Sequence, residues 1–309
     1  MRKVIGIGET ILDILFRNDQ PLAAVPGGST LNAIVSLSRL GVATDFISET
    51  GDDHVSEIIR RFLTENGIGT QGVYTYVDHK SPISLAFLSD SAEASYSFYK
   101  NYPEQRLLDA TLPSIHPDDV IIIGSYYAVT PALREIHLQL LGEAQKQGAI
   151  IYYDPNFRKP HRHEALKLAP YILENLKYAS IVRGSEDDFD CLFNLSGAEK
   201  IYDEKIKFFC PRFIHTSGSG PISLLTPGLR KEYQTESFQP VSTVGAGDNF
   251  NAGLIYGLIS NRIGLNDLDY LKESDWDKLI KMGQMLSKEV CMSTENYISV
   301  PFGKKIQMI

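Results

Sequence analysis

Four residues near the C-terminal end of the chain, Gly245-Ala246-Gly247-Asp248, bring together what group transfer needs: a place for an anion and a base beside it. A helical pattern begins at once, with Phe250, Leu254 and Leu258 four apart on one face. The first turn of a helix leaves backbone N–H groups unpaired and turns its positive dipole end outward. Glycines let the incoming chain bend tightly and bring those groups up to a phosphate. A carboxylate placed there would repel a merely bound anion. Asp248 makes chemical sense as the base that takes a proton from a hydroxyl attacking the held phosphorus. Read alone, the same letters also fit a plain loop-to-helix junction with an acidic first turn.

Other stretches offer partners for that chemistry. Pro26-Gly27-Gly28-Ser29-Thr30-Leu31-Asn32 puts a double glycine before a helix, with Ser29 or Thr30 as its cap and Gly41 as its end. Asn32, one turn in, can bind sugar hydroxyls or be a surface asparagine. Asp13, past the first strand, can sit where α/β sheets bind ligands or be a solvated turn acid. Arg158, in Asp154-Pro155-Asn156-Phe157-Arg158, can clamp a phosphate or substrate oxygen with its planar fork, or form a surface ion pair. Ser185-Glu186-Asp187-Asp188 can hold Mg²⁺ through water, or simply complement a helix dipole. Thr216-Ser217-Gly218-Ser219-Gly220 suits a nucleotide's phosphates or ribose, or is an ordinary hairpin loop. His161 and His163 have no evident third metal ligand and read as a solvated basic loop.

The elements that position these residues follow from hydrophobic period. Val4–Gly8, Val120–Gly124 and Ala149–Tyr153 are continuous apolar runs, as in a parallel sheet covered on both faces. Helices are expected over 53–66, 131–147, 162–176 and 275–291, with strands at 45–49, 179–182, 213–215 and 222–225. Gly6 and Gly8 suggest a dinucleotide fingerprint, but the third glycine would fall near position 11, an isoleucine. From Val73 to about Tyr99 the pattern changes to short aromatic strands with no helix between them, separated by the turn at 89–93. This β-rich insertion reads as a lid, and its exposed apolar face offers a surface for pairing two subunits. The fold expected is α/β, a three-layer α/β/α sandwich with a mostly parallel sheet and a small β-sheet lid. A single domain over 1–309 is expected, with the lid formed mainly by about 73–105 and part of 10–26.

Composition narrows the function. The chain has 309 residues and a net charge of −8, which argues against a nucleic-acid or anionic-membrane surface. No apolar run approaches a membrane span and no leader-type cleavage site is seen. Three widely spaced cysteines form no CxxC pair, which fits a reducing cytoplasm.

Taken together, Gly27-Gly28-Ser29-Thr30-Leu31-Asn32-Ala33 and Thr243-Val244-Gly245-Ala246-Gly247-Asp248 resemble the two signatures of the ribokinase-like (PfkB) carbohydrate kinases, in the right order over nearly the whole chain. The Asp154–Arg158 stretch is similar to the fructokinase and 2-keto-3-deoxygluconate kinase branches. The resemblance implies ATP-dependent transfer of the γ-phosphoryl group to a sugar hydroxyl, with fructokinase favoured. The alternatives are 2-keto-3-deoxygluconate kinase, for which Lys100 or Arg106 would meet the substrate carboxylate, and a silent sugar-binding protein on the same fold. It implies Asp248 as base, N–H groups of Gly245, Ala246 and Gly247 around the transferring phosphoryl group, and Asp13, Gly28 and Asn32 on sugar hydroxyls. Arg158 would sit near sugar or phosphate, and Ser185, Thr216, Gly218 and Gly220 near the nucleotide. Mg²⁺ would be served by Asp188, with Glu186 as second choice. Ser242 stands where many relatives carry a cation-binding aspartate, so a monovalent-cation requirement is not expected.

Overall fold

The computed structural model describes residues 2–88, 94–104, 106 and 112–308. The expected turn at 89–93 and residue 105 of the expected lid lie outside them. In chain order the first half contains β1 (Lys3–Ile7), β2 (Ile11–Arg17), β3 (Gln20–Gly27), α1 (Ser29–Arg39), β4 (Ala43–Gly51), α2 (His54–Glu65), β5 (Val73–Tyr76), β6 (Lys80–Leu88) and β7 (Ala94–Asn101). There follow β8 (Val120–Gly124), α3 (Arg134–Gln147), β9 (Ile150–Asp154), α4 (Ala165–Tyr178), β10 (Ile181–Ser185), α5 (Glu186–Phe193) and α6 (Ala198–Ile201). The last part holds β11 (Phe213–Thr216), β12 (Ile222–Leu225), β13 (Arg230–Tyr233), α7 (Ala246–Ser260), α8 (Glu273–Cys291) and α9 (Val300–Gln307).

Nine strands form the main sheet in the order β13-β12-β11-β10-β9-β8-β1-β4-β5. It is parallel except at β12, which runs antiparallel to both neighbours. Its strands alternate side chains between two cores because successive residues point to opposite faces. Val4, Ile122 and Ile150 pack with Leu31, Phe250 and Trp276 on the face of α1, α7 and α8. Ile5, Ile123 and Ile151 pack with Leu141, Leu168 and Phe189 on the face of α3, α4 and α5. The three-layer expectation therefore holds. Gly253 lets α7 meet α8 closely: a Cβ there would overlap the Met282 carbonyl oxygen, and one at Gly257 would stand 2.7 Å from Leu279.

A second sheet of four strands, β3-β2-β6-β7, accompanies the first. It is antiparallel within each hairpin and parallel where β2 meets β6. Its composition differs from the sequence expectation at one end. Residues 73–76 are not part of it; as β5 they extend the main sheet beside β4. Asp13 lies mid-strand in β2 rather than in a turn. The cap of α1 is also corrected. Ser29 is already helical and Gly28 is the N-cap, with φ 136° and no side-chain cap bond. Only glycine fits there, since a Cβ would collide with the Glu9 carbonyl oxygen. Three elements went unpredicted, the short helix α6, the edge strand β13 and the helix α9. Among the described residues, no helix is long and apolar enough to cross a membrane.

Candidate active site

The candidate residues gather at the carboxyl ends of the central strands, where ligands bind in open α/β sheets. β9 ends at Asp154, β10 at Ser185 and β11 at Thr216. The N-terminal turn of α7 points over the same edge. Gly245 is its N-cap, left-handed at φ 78°, and a Cβ there would stand 2.6 Å from the Asn296 carbonyl oxygen. Asn249 fixes this entry, donating to the carbonyls of Gly245 and Asn296 at 2.8 Å. The Ala246 N–H bonds Thr243 O at 3.2 Å. Among the described residues, the N–H groups of Gly247 and Asp248 have no recorded partner. They are the open donors of the turn.

Asp248 is buried and accepts from Asn32 Nδ2 at 2.8 Å. That bond joins the two glycine-led helices, α1 and α7. Asn32 is buried too, and its Oδ1 has no protein partner. Burial pushes the Asp248 carboxyl up to about 7, against the pull of Asn32 and the charge of Arg158. Arg158 itself is exposed, and its guanidinium makes no recorded hydrogen bond among the described residues. On the second sheet Asp13 accepts from the Ser84 hydroxyl and lies against Gly27, where a Cβ would overlap its carboxylate. Burial pushes the Asp13 carboxyl up to about 6. Glycines 27 and 28 thus serve close packing around Asp13 and Glu9.

Behind α7 lies a buried polar network. Asp154 Oδ2 accepts from Arg183 Nη1 at 3.1 Å and from Asn251 Nδ2 at 2.5 Å. Asn251 Oδ1 accepts from Tyr152 OH at 2.9 Å. Arg183 Nη2 donates to Thr216 Oγ1 at 2.7 Å. Asp188 sits beside this network in a capping box: its Oδ2 accepts from Ser185 N and Ser185 Oγ, each at 2.7 Å. Within this network Asp154 Oδ1 and Asp188 Oδ1 are buried and have no hydrogen-bond partner among the described residues. Burial and the neighbouring Asp154 charge hold the Asp188 carboxyl above its ordinary value. Glu186 points elsewhere, pairing with His215 at 2.8 Å and accepting from Gly197 N at 3.2 Å. Gly218 and Gly220 lie in the β11–β12 hairpin turn, closed by Gly220 N to Ser217 O at 2.6 Å. A cavity of about 550 Å³ opens beside this hairpin, lined by Glu186, Ser217, Leu225 and Arg230 among others.

The structure therefore brings Asn32, Asp248, Gly247, Asp188 and Thr216 to one buried centre. Asp13 lies on the second sheet, while Glu186, Gly218 and Gly220 lie farther along the sheet edge. Sequence reasoning passed over Arg183, Asn251 and the carboxylate of Asp154. The signal for Arg183 was present: an arginine inside the apolar run Ile181-Val182-Arg183-Gly184 needs buried acidic partners. The cations weighed for a substrate carboxylate are both paired. Lys100 Nζ is 2.6 Å from Glu9, and Arg106 is 3.1 Å from the fully buried Glu49.

A three-layer α/β/α fold with a second small sheet, and a buried acid at a glycine-led helix N-terminus, define a phosphoryl-transferring sugar kinase architecture. The pfkB family carbohydrate kinase model matches residues 1–302, and the chain belongs to that family. Fructokinase-1 of Oryza sativa subsp. japonica is 26% identical over 287 residues, covering 88% of this chain and 87% of the relative. Fructokinase from Vibrio cholerae O395, solved with fructose, ADP and calcium ion, superimposes with a TM-score of 0.82 at 20% identity, covering 97% of this chain and 96% of that one. Aminoimidazole riboside kinase from Salmonella enterica superimposes with a TM-score of 0.80 at 20% identity, covering 99% of each chain.

Proposed function

We propose that this protein is a fructokinase, transferring the γ-phosphoryl group of ATP to a hydroxyl of fructose. The carrying observation is Asp248: a carboxylate buried at the open N-terminal turn of α7, held by Asn32, with its titration brought to about 7. A base with that value is partly ionised at neutral pH and still strong enough to take a hydroxyl proton. Asn32, Asp13 and Gly28 bind sugar hydroxyls from the α1 side, and Arg158 reaches in from the β9 loop. The free N–H groups at the start of α7, with Gly245 and Gly247 giving access, stabilise charge on the transferring group. Ser185, Thr216, Gly218 and Gly220 line the nucleotide side, next to the cavity beside the β11–β12 hairpin.

Magnesium fits the site because Asp154 and Asp188 each keep a buried carboxylate oxygen without a hydrogen-bond partner among the described residues, and hard cations take oxygen ligands. Asp188 and Asp154 would hold it, directly or through water; Glu186, committed to His215, would not. When bound, the ion neutralises charge on the phosphates. The second sheet acts as the lid, shielding the acceptor hydroxyl from competing water. Its exposed Phe87 and Tyr99 share one face and are the surface through which two copies would pair.

A neutral sugar is favoured over an acidic one because Lys100 and Arg106 are already neutralised by Glu9 and Glu49. The test is ADP release from MgATP with fructose, 2-keto-3-deoxygluconate, ribose, tagatose, glucose and adenosine. Turnover on fructose at least tenfold above the others in kcat/KM is expected. Preference for 2-keto-3-deoxygluconate, or binding without turnover, overturns the reading.

A further inference from the structure

Arg183 is buried at the centre of the site and is neither of the helix that would carry the phosphate nor of any motif that suggested the reaction. Its fork is held from two sides: Nη1 donates to Asp154 at 3.1 Å and Nη2 to Thr216 at 2.7 Å. Its guanidinium carbon lies 5.7 Å from the Phe250 ring centre, on the second turn of α7. Its Nε has no hydrogen-bond partner among the described residues. The outer edge of the fork faces Gly247. A Cβ on that glycine would stand 3.0 Å from Nη1 and 3.1 Å from Nη2.

Gly247 is not in the left-handed region, so its backbone would accept another residue; the space for a side chain is what is missing. The glycine thus lets a buried cation press against the back of the open turn. Three acids, Asp154, Asp188 and Asp248, act on this one guanidinium. A phosphate entering the turn would meet three carboxylates, and a fixed positive charge on its protein side offsets them.

We propose that Arg183 is a positioning residue for phosphoryl transfer. It keeps a permanent cation behind Gly247 at the base of the anion hole, and it holds Asp154 Oδ2 so that Oδ1 faces the site. This rests on the fructokinase reading for its catalytic readout, but its binding readout does not. Lysine cannot reproduce it fully, because a point charge cannot bridge Asp154 and Thr216 as a planar fork does.

The experiment compares wild type with Arg183→Met, Arg183→Lys and Gly247→Ala, each checked for folding by circular dichroism. Steady-state kinetics with fructose and MgATP are combined with calorimetric titration of ADP and of inorganic phosphate. Arg183→Met is expected to lower kcat about 100-fold, the size of a lost oxyanion contact. The KM for fructose should stay within about threefold, and phosphate affinity should fall about tenfold. Arg183→Lys should lose about tenfold in kcat, and Gly247→Ala, by displacing the fork, should resemble Arg183→Met. The double variant should then be no worse than either single one, as expected for residues acting as a unit. A folded Arg183→Met with kcat within about threefold of wild type overturns the proposal. If Arg183→Met does not fold, Arg183→Lys decides: a tenfold loss in kcat with unchanged fructose KM supports the proposal, and wild-type kinetics overturn it. If wild type phosphorylates no sugar, the fructokinase reading fails, and the phosphate affinities of wild type and Arg183→Lys alone decide: a clear loss supports the proposal, and equal values overturn it.

Discussion

Replacing Asp248 by asparagine separates the chemistry of the site from its architecture. Asparagine keeps the volume and an oxygen to accept from Asn32, and loses only the capacity to take a proton. Burial raises the carboxyl from its ordinary 3.8 to about 7. The folded protein therefore holds that proton more tightly than the unfolded chain. The contribution to stability is intact below the unfolded value and is lost as pH rises towards 7. A separation of about three pH units corresponds to about 4 kcal/mol of destabilisation above pH 7, as an upper bound. Asp248→Asn should recover part of that, so its Tm should exceed that of wild type at pH 8 and match it near pH 4. The same substitution should lower kcat by about two to four decades. In wild type the ionised fraction rises from about a tenth at pH 6 to about nine tenths at pH 8, so kcat/KM for fructose should climb about tenfold across that range. The variant's residual rate should show no such climb. An ADP-release assay over pH 5.5–9, alongside thermal melts of both proteins, reads all of these. A loss of kcat under tenfold, or an acid limb that survives in the variant, would refute the role given to Asp248.

Three further outcomes are expected. Asn32→Ala removes the hydrogen bond that lowers the Asp248 value, so the acid limb of kcat/KM should move to higher pH while the KM for fructose rises about tenfold, near the loss of one hydrogen bond to substrate; an unmoved limb counts against the contact. In magnesium titrations, Asp188→Asn should raise the Mg²⁺ requirement at least tenfold, whereas Glu186→Gln should leave it within about twofold, and the reverse ranking would reassign the metal-linked acid. Arg106→Met strands the fully buried Glu49 without its cation and should cost about 3 kcal/mol in urea unfolding; a loss under about 1 kcal/mol would mean that Glu49 folds in neutral form.

What was legible in the sequence was what is local. The turn 245–248 and the face Phe250, Leu254, Leu258 lie within one helix, so spacing alone revealed them. Gly253 and Gly257, four apart on the same helix, meet α8 at Met282 and Leu279. The Asn32–Asp248 bond spans 216 residues, and no local pattern reports it. The assignment of 73–76 failed because Val-Tyr-Thr-Tyr alternates equally well in either sheet. β13, Arg-Lys-Glu-Tyr, has no apolar alternation because it is the main sheet's exposed edge, where charge is a protection. α9 could have been found: Ser299 caps it by accepting from Phe302 N, and Pro301 stands in its first turn.

The second sheet is sewn from two separate excursions of the chain. β2 and β3 leave after β1 and return through α1; β6 and β7 leave after β5 and return before β8. Their seam pairs Leu12 with Ile83, 71 positions apart (83 − 12). Asp53, the cap of α2, stitches the second excursion down by accepting from Ser81 N at 2.9 Å. Such a seam closes over the whole α1–β5 segment between the excursions, at an entropic cost that grows slowly with loop length. The second sheet is therefore an insertion in two parts. It cannot be removed or transplanted by a single cut, as a one-hairpin insertion could. Any homologue that gained or lost it would have had to do so in two places whose strands match in register.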